Sequence, residues 1–161
     1  IDMPPGTGDI QIPVCQEVKL DGAVIVTTPQ RLAFVDVIKG IQMFNDLQVR
    51  ILGVVENMAY HECPRCKNHD EVFGKGYMNM LVEQFGIKNS VQIPLNSEIS
   101  KFSDIGSPVV LTLPPQHTVV RAYVQLVNKL LVEVEKPYFV PNVYYNQEIR
   151  KVVVDAEKIR R

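Results

Sequence analysis

Two groups of residues in this chain have types and spacings that do chemistry. The first opens the sequence: Ile1-Asp2-Met3-Pro4-Pro5-Gly6-Thr7-Gly8-Asp9. An aspartate closing an apolar strand, followed by a glycine-rich turn into a helix, has a defined use with phosphates. Its carboxylate can hold a water bound to Mg²⁺, while the turn offers backbone N–H groups to a terminal phosphate. Gly6 and Gly8 allow a close backbone approach that side chains would obstruct. Asp9 is placed to orient an attacking water or, in the plainer reading of the same spacing, to cap the next helix.

The second group is Cys63-Pro64-Arg65-Cys66. Two thiolates two residues apart can hold one metal centre from a single turn. The chain has three cysteines, and the third, Cys15, has no partner near it in sequence. A four-thiolate centre therefore needs a second copy of the chain, and a two-fold dimer would face two pairs across its axis. Three other readings stand beside this one. A zinc site could recruit His61 or His69, the pair could be redox-active, or the thiols could be free. Redox pairs normally open a helix, whereas Pro64 and Lys67-Asn68-His69-Asp70 suggest a loop. His117, at a helix start, reads as a cap or surface residue.

The elements that must position these groups alternate. Ala23–Thr28, Arg50–Val55 and Ser90–Ile93 are apolar β-rich runs without polar alternation, as expected for strands buried on both faces. A further strand is expected at Val109–Leu113. Helical spacing runs through Gln30–Leu47, with Phe34, Ile38 and Ile41 on one stripe, through Tyr77–Phe85 up to Gly86, and through Ser97–Ile105 up to Gly106. The last helix carries Val120, Tyr123, Val124, Val127, Leu130, Leu131 and Val134 along a stripe. Strands alternating with helices predict an α/β fold with a mostly parallel sheet. Residues 1–136 form the main domain in this reading. Pro137 and Pro141 bracket a linker, and Ile149, Val152 and Val154 predict a strand within 137–161 that either begins a small C-terminal domain or belongs to a tail packed on the sheet.

Composition sets outer bounds. Hydrophobic residues make up 46% and charged residues 22% of the 161, enough for a core without disulfides. A net charge of −1, with basic residues dispersed, argues against a nucleic-acid partner. No apolar run reaches the roughly 20 residues that span a bilayer, so no membrane partner is expected. Cysteine use suggests a reducing compartment, the cytoplasm or an organelle stroma or matrix such as that of a plastid.

In order and spacing, D-M-P-P-G-T-G-D, T-T-P-Q at Thr27–Gln30, G-V-V-E-N-M at Gly53–Met58, C-P-R-C, F-G-K-G at Phe73–Gly76 and I-P-L-N at Ile93–Asn96 resemble the Mrp-type iron–sulfur carriers of the MinD/Mrp branch of P-loop ATPases. The resemblance covers roughly residues 1–135; the tail from Tyr145 to Val154 is similar to the start of the domain that follows in chloroplast-type members. It departs from the family at Lys67 and Tyr77, where glycine is usual.

The resemblance implies a three-layer P-loop fold and an ATP-dependent carrier that binds a bridging [4Fe–4S] cluster and transfers it to apo iron–sulfur proteins. Asp2 would hold Mg²⁺ through water, Gly6 and Thr7 would sense the terminal phosphate of ATP, and Asp9 would support the water or switch. Asn57 would contact adenine, Pro94 and Asn96 would line the base and ribose, and Cys63 and Cys66 would ligate the cluster in a homodimer. No G-x-x-x-x-G-K-[ST] loop occurs in the 161 residues, so the chain is expected to be a C-terminal part lacking the phosphate-binding loop, neither hydrolysing ATP nor folding stably by itself. Two other classes remain: a MinD/ParA-like positioning ATPase, disfavoured by the C-x-x-C, and a non-catalytic zinc-binding module.

Overall fold

The apolar runs become strands and the amphipathic stretches become helices in the computed structural model, which describes residues 1–137. Helix α1 (Gln11–Glu17) leads into strand β1 (Ala23–Thr27), helix α2 (Arg31–Asp46) and strand β2 (Ile51–Glu56). Two short strands follow, β3 (His61–Glu62) and β4 (His69–Asp70), and then α3 (Tyr77–Phe85) and β5 (Ser90–Gln92). Helices α4 (Ser97–Asp104), α5 (Val109–Thr112) and α6 (Thr118–Val134) complete the described chain. The linker and strand expected beyond Pro137 lie outside these residues.

β1, β2 and β5 form one parallel sheet in that order, with Thr27 opposite Glu56 and Glu56 opposite Gln92. Because β2 is covered on both faces, Leu52 through Glu56 are all buried. Ile25 and Val54 pack with Phe34, Ile38 and Ile41 of α2 and Leu81 and Phe85 of α3. Val55, Val91 and Ile93 pack with Ala122 of α6, with Ile99, Tyr123 and Leu126 around them. The result is a three-layer α/β arrangement. No helix among the described residues is long and apolar enough to cross a membrane.

Glycines end helices where the sequence suggested. Gly86 closes α3 with φ +62, a conformation that costs other residues more. Tyr77 packs its ring 5.0 Å from that of Phe34.

Two expectations are corrected. Val109–Leu113 is not a strand: Thr112 Oγ1 donates to the Pro108 carbonyl at 3.1 Å and the Leu113 N–H to the Val109 carbonyl at 3.0 Å. These local bonds close one helical turn instead. Asp9 caps nothing: the helix starts at Gln11, Ile10 holds the N-cap position, and Asp9 lies one residue too early. Along the stripe of α6, Val120 is buried while Val124, Val127 and Leu131 are exposed.

Candidate functional site

Parallel strands present their carboxyl ends on one edge of the sheet, which is where open α/β sheets bind ligands. Here that edge carries Thr27 at the end of β1 with Thr28 after it, Asn57 after β2, and Pro94 to Asn96 after β5. Backbone bonds extend the pairing beyond the strands. The Asn57 N–H donates to the Thr27 carbonyl at 2.7 Å, the Ile93 N–H to the Glu56 carbonyl at 2.9 Å, and the Ala59 N–H to the Ile93 carbonyl at 3.0 Å. The Leu95 N–H then donates to the Tyr60 carbonyl at 2.7 Å. Asn57 and the 93–96 loop are therefore one hydrogen-bonded unit.

Within it the two asparagines have different employment. Asn96 Oδ1 accepts from the Glu98 N–H at 2.7 Å and caps α4. Asn57 Oδ1 accepts from the Met58 N–H at 3.0 Å, and Met58 takes a left-handed φ of +55 to make the turn. The Asn57 amide N–H₂ has no acceptor among the described residues and is available to a ligand. Pro94 is buried. His117 acts as the cap the sequence suggested: its Nδ1 accepts from the Val119 N–H at 3.4 Å, while Nε2 lies 3.0 Å from Glu98 Oε2.

Cys63 and Cys66 sit at the tip of the β3–β4 hairpin, a turn rather than a helix start. The Cys63 N–H donates to the Asn68 carbonyl and the Lys67 N–H to the Cys63 carbonyl, both at 2.9 Å. This closure aims the backbone N–H groups of Cys66 and Arg65 at the Cys63 sulfur, and with the Cys66 thiol and the Lys67 charge they hold its pKa below the usual thiol value. A soft cation or cluster needs the thiolate, so the donor set suits one. Among the described residues, no group of three His, Cys, Asp or Glu gathers into a metal site. His61 and His69 are not gathered with the cysteines into such a site.

His69 is engaged elsewhere. Its ring stacks on Tyr60, with centroids 4.1 Å apart and planes inclined by 22°, and its Nε2 lies 3.6 Å from Glu62 Oε2. Glu62 Oε1 accepts from Lys67 Nζ at 3.0 Å, which with His69 holds the carboxyl below its ordinary value.

The opening segment is organised separately. Asp2, Gly6, Thr7 and Asp9 are all exposed, and Gly6 has a left-handed φ of +103 with open space around it. Gln11 Nε2 donates to the Pro4 carbonyl at 2.7 Å and folds the loop onto α1. No hydrogen bond or ion pair among the described residues joins 1–9 to the unit built by 57–60, 61–70 and 93–96. Cys15 lies on α1, where burial pushes its thiol pKa up.

Sequence reasoning passed over Glu56, Tyr60 and the stacking role of His69. Signals existed: a carboxylate ending an unbroken apolar strand, and rings placed three residues before Cys63 and three after Cys66.

Residues 1–131 match the family model described as ParA, NUBPL iron-transfer P-loop NTPase. The iron-sulfur cluster carrier protein of Haemophilus influenzae is 43% identical over 133 residues, 83% of this chain and 36% of that protein. The iron-sulfur cluster transfer protein NUBPL of Mus musculus is 38% identical over 131 residues, 81% of this chain and 41% of that one. A solved nucleotide-binding protein from Archaeoglobus fulgidus in complex with ADP is 44% identical, with a TM-score of 0.59, over 65% of this chain and 43% of that chain. The chain thus spans little more than a third of the length of the first of these relatives.

Proposed function

From the premise that this chain belongs to the NUBPL iron-transfer P-loop NTPase family, we propose that the protein it forms carries an iron–sulfur cluster and hands it to apoproteins under the control of ATP. Cys63 and Cys66 of two copies supply four thiolates to a bridging [4Fe–4S] cluster, which is cargo rather than a resident cofactor. The observation that carries the reading is the closed turn at the hairpin tip, where peptide N–H groups favour the Cys63 thiolate before any metal arrives.

The nucleotide is the second substrate. Asn57 offers its unoccupied amide N–H₂ to the base, and the backbone of Pro94 to Asn96 borders base and ribose. The Archaeoglobus fulgidus relative was solved in complex with ADP, which supports a nucleotide as a ligand of this chain's protein. Asp2 holds the accompanying Mg²⁺ through water, Gly6 and Thr7 present N–H groups to the terminal phosphate, and Asp9 supports the attacking water. Exposure of this whole segment suits a switch that changes partners with the nucleotide state.

The test is anaerobic reconstitution with iron and sulfide. The expected product is a brown protein holding about one cluster per two chains, with the visible absorption lost in Cys63→Ala and in Cys66→Ala. A folded protein that stays colourless and binds only zinc, as a monomer, would replace the carrier by a zinc module.

A further inference from the structure

The hairpin bearing Cys63 and Cys66 has only two cross-strand pairs, His61 with Asp70 and Glu62 with His69. So short a ribbon does not hold itself in place. Its orientation on the body must come from its anchors. The ion pairs of Glu62 with Lys67 and His69 stay within the hairpin, so they stiffen it without aiming it. The Tyr60 ring does aim it. Tyr60 precedes β3 and stacks on His69 of β4, the strand that returns from the cysteines.

The same residue is fastened to the other half of the site. Its carbonyl accepts from the Leu95 N–H at 2.7 Å, in the loop between Pro94 and Asn96. Ala59 beside it is bonded to Ile93. A shift in the 94–96 backbone therefore reaches Tyr60 through one hydrogen bond, and the hairpin through one pair of stacked rings.

We propose that the Tyr60–His69 stack couples occupancy of the 93–96 loop to the disposition of Cys63 and Cys66, making Tyr60 a positioning residue for cluster binding and release. The inference rests on the carrier reading above, since it takes that loop as a nucleotide border and those thiols as ligands. Replacing the Tyr60 side chain leaves its backbone carbonyl bonded to Leu95, so the stack can be removed without cutting the loop from the strand. Coupling of this kind is a free-energy difference between two sites and appears as a change in one when the other is filled.

The experiment uses the complete protein, freed of cluster, and follows iodoacetamide alkylation of Cys63 and Cys66 by mass spectrometry with and without ADP. In the unaltered protein ADP should change the Cys63 rate by about two- to tenfold, the size one aromatic pair can transmit. Tyr60→Ala and His69→Ala should abolish that change while ADP affinity stays within about twofold of the parent's. Tyr60→Phe and His69→Phe, which keep a ring to stack, should preserve it. A merely structural role would not divide the variants in this way. The proposal is overturned if Tyr60→Ala keeps the full response, or if ADP binds the parent protein without altering Cys63. Should Tyr60→Ala fail to fold, the pair His69→Ala and His69→Phe, on an exposed strand, decides alone. Failure of the carrier reading looks different: the parent protein then takes up no iron and sulfide, whatever its alkylation shows.

Discussion

Gln92 Nε2 donates a 2.8 Å hydrogen bond to one carboxylate oxygen of Glu56, and the other oxygen, Oε1, is buried with no donor among the described residues. Glu56 ends the central strand one residue before Asn57, so this half-satisfied carboxylate lies at the carboxyl-end edge of the sheet. An unsatisfied buried acceptor costs about 1–3 kcal/mol. Glu56→Met keeps the volume, removes both oxygens and leaves the exposed Gln92 amide to water. Urea denaturation should show a gain of about 1–3 kcal/mol. Glu56→Gln, which retains a buried polar atom in need of a partner, should recover less. A midpoint that does not rise in Glu56→Met would show that a bound water already satisfies Oε1.

The two described cysteine environments should separate by pH. Peptide N–H groups lower the Cys63 pKa, while burial raises that of Cys15. Alkylation of Cys63 in the apo protein should reach half its limiting rate at a pH below that of an ordinary thiol, and alkylation of Cys15 above it. The stability sign follows. The folded state's preference for the Cys63 thiolate stabilises the protein fully above the unfolded thiol pKa, and that contribution is lost as pH falls through the folded value. Coincident profiles for the two cysteines would contradict this account.

Lys67 adopts a left-handed φ of +59, a conformation that disfavours residues with a Cβ by roughly 1–2 kcal/mol. Its exposed ion pair with Glu62 offsets only part of that. Lys67→Gly should therefore tighten the turn by about 1 kcal/mol, or roughly fivefold in local opening. Hydrogen exchange at the Cys63 and Lys67 amides, whose bonds close the turn, is the measurement. Faster exchange in the glycine variant would mean that the Glu62 bond outweighs the backbone strain.

Asn57 and Asn96 were assigned to the same ligand by sequence, yet their substitutions should behave oppositely. Asn57→Ala should lower adenine-nucleotide affinity by about tenfold, with little change in stability, because its amide N–H₂ faces no protein acceptor. Asn96→Ala should cost about 1 kcal/mol of stability through the lost cap on α4, and Asn96→Asp should restore it. Equal losses of affinity without loss of stability would place both side chains on the ligand. Calorimetric titration and thermal melts separate the cases.

Much of the fold was legible in the chain because burial on both faces leaves an unbroken apolar record. Ala23–Thr27, Ile51–Glu56 and Ser90–Gln92 fall within a residue of the runs read as strands. The helix ends at Gly86 and Gly106 were equally plain, since a left-handed residue there is usually glycine. Val109–Thr112 was misread because four apolar residues have no period long enough to tell a strand from a turn of helix, and Thr112 bonds locally.

By itself the sequence determined which residues can act: a thiol pair two residues apart, an amide after a buried strand, an aspartate- and glycine-rich opening. Such identities are local and survive in a string of letters. What tertiary structure alone decided is which of them share a framework. Residues 57–60, 61–70 and 93–96 are joined by backbone bonds and by one pair of stacked rings, whereas Asp2 to Asp9 fold onto their own helix. A hydrogen bond between positions 60 and 95, or a ring contact between 60 and 69, depends on how strands lie side by side. That arrangement is set by packing of the whole core, and no spacing along the chain records it.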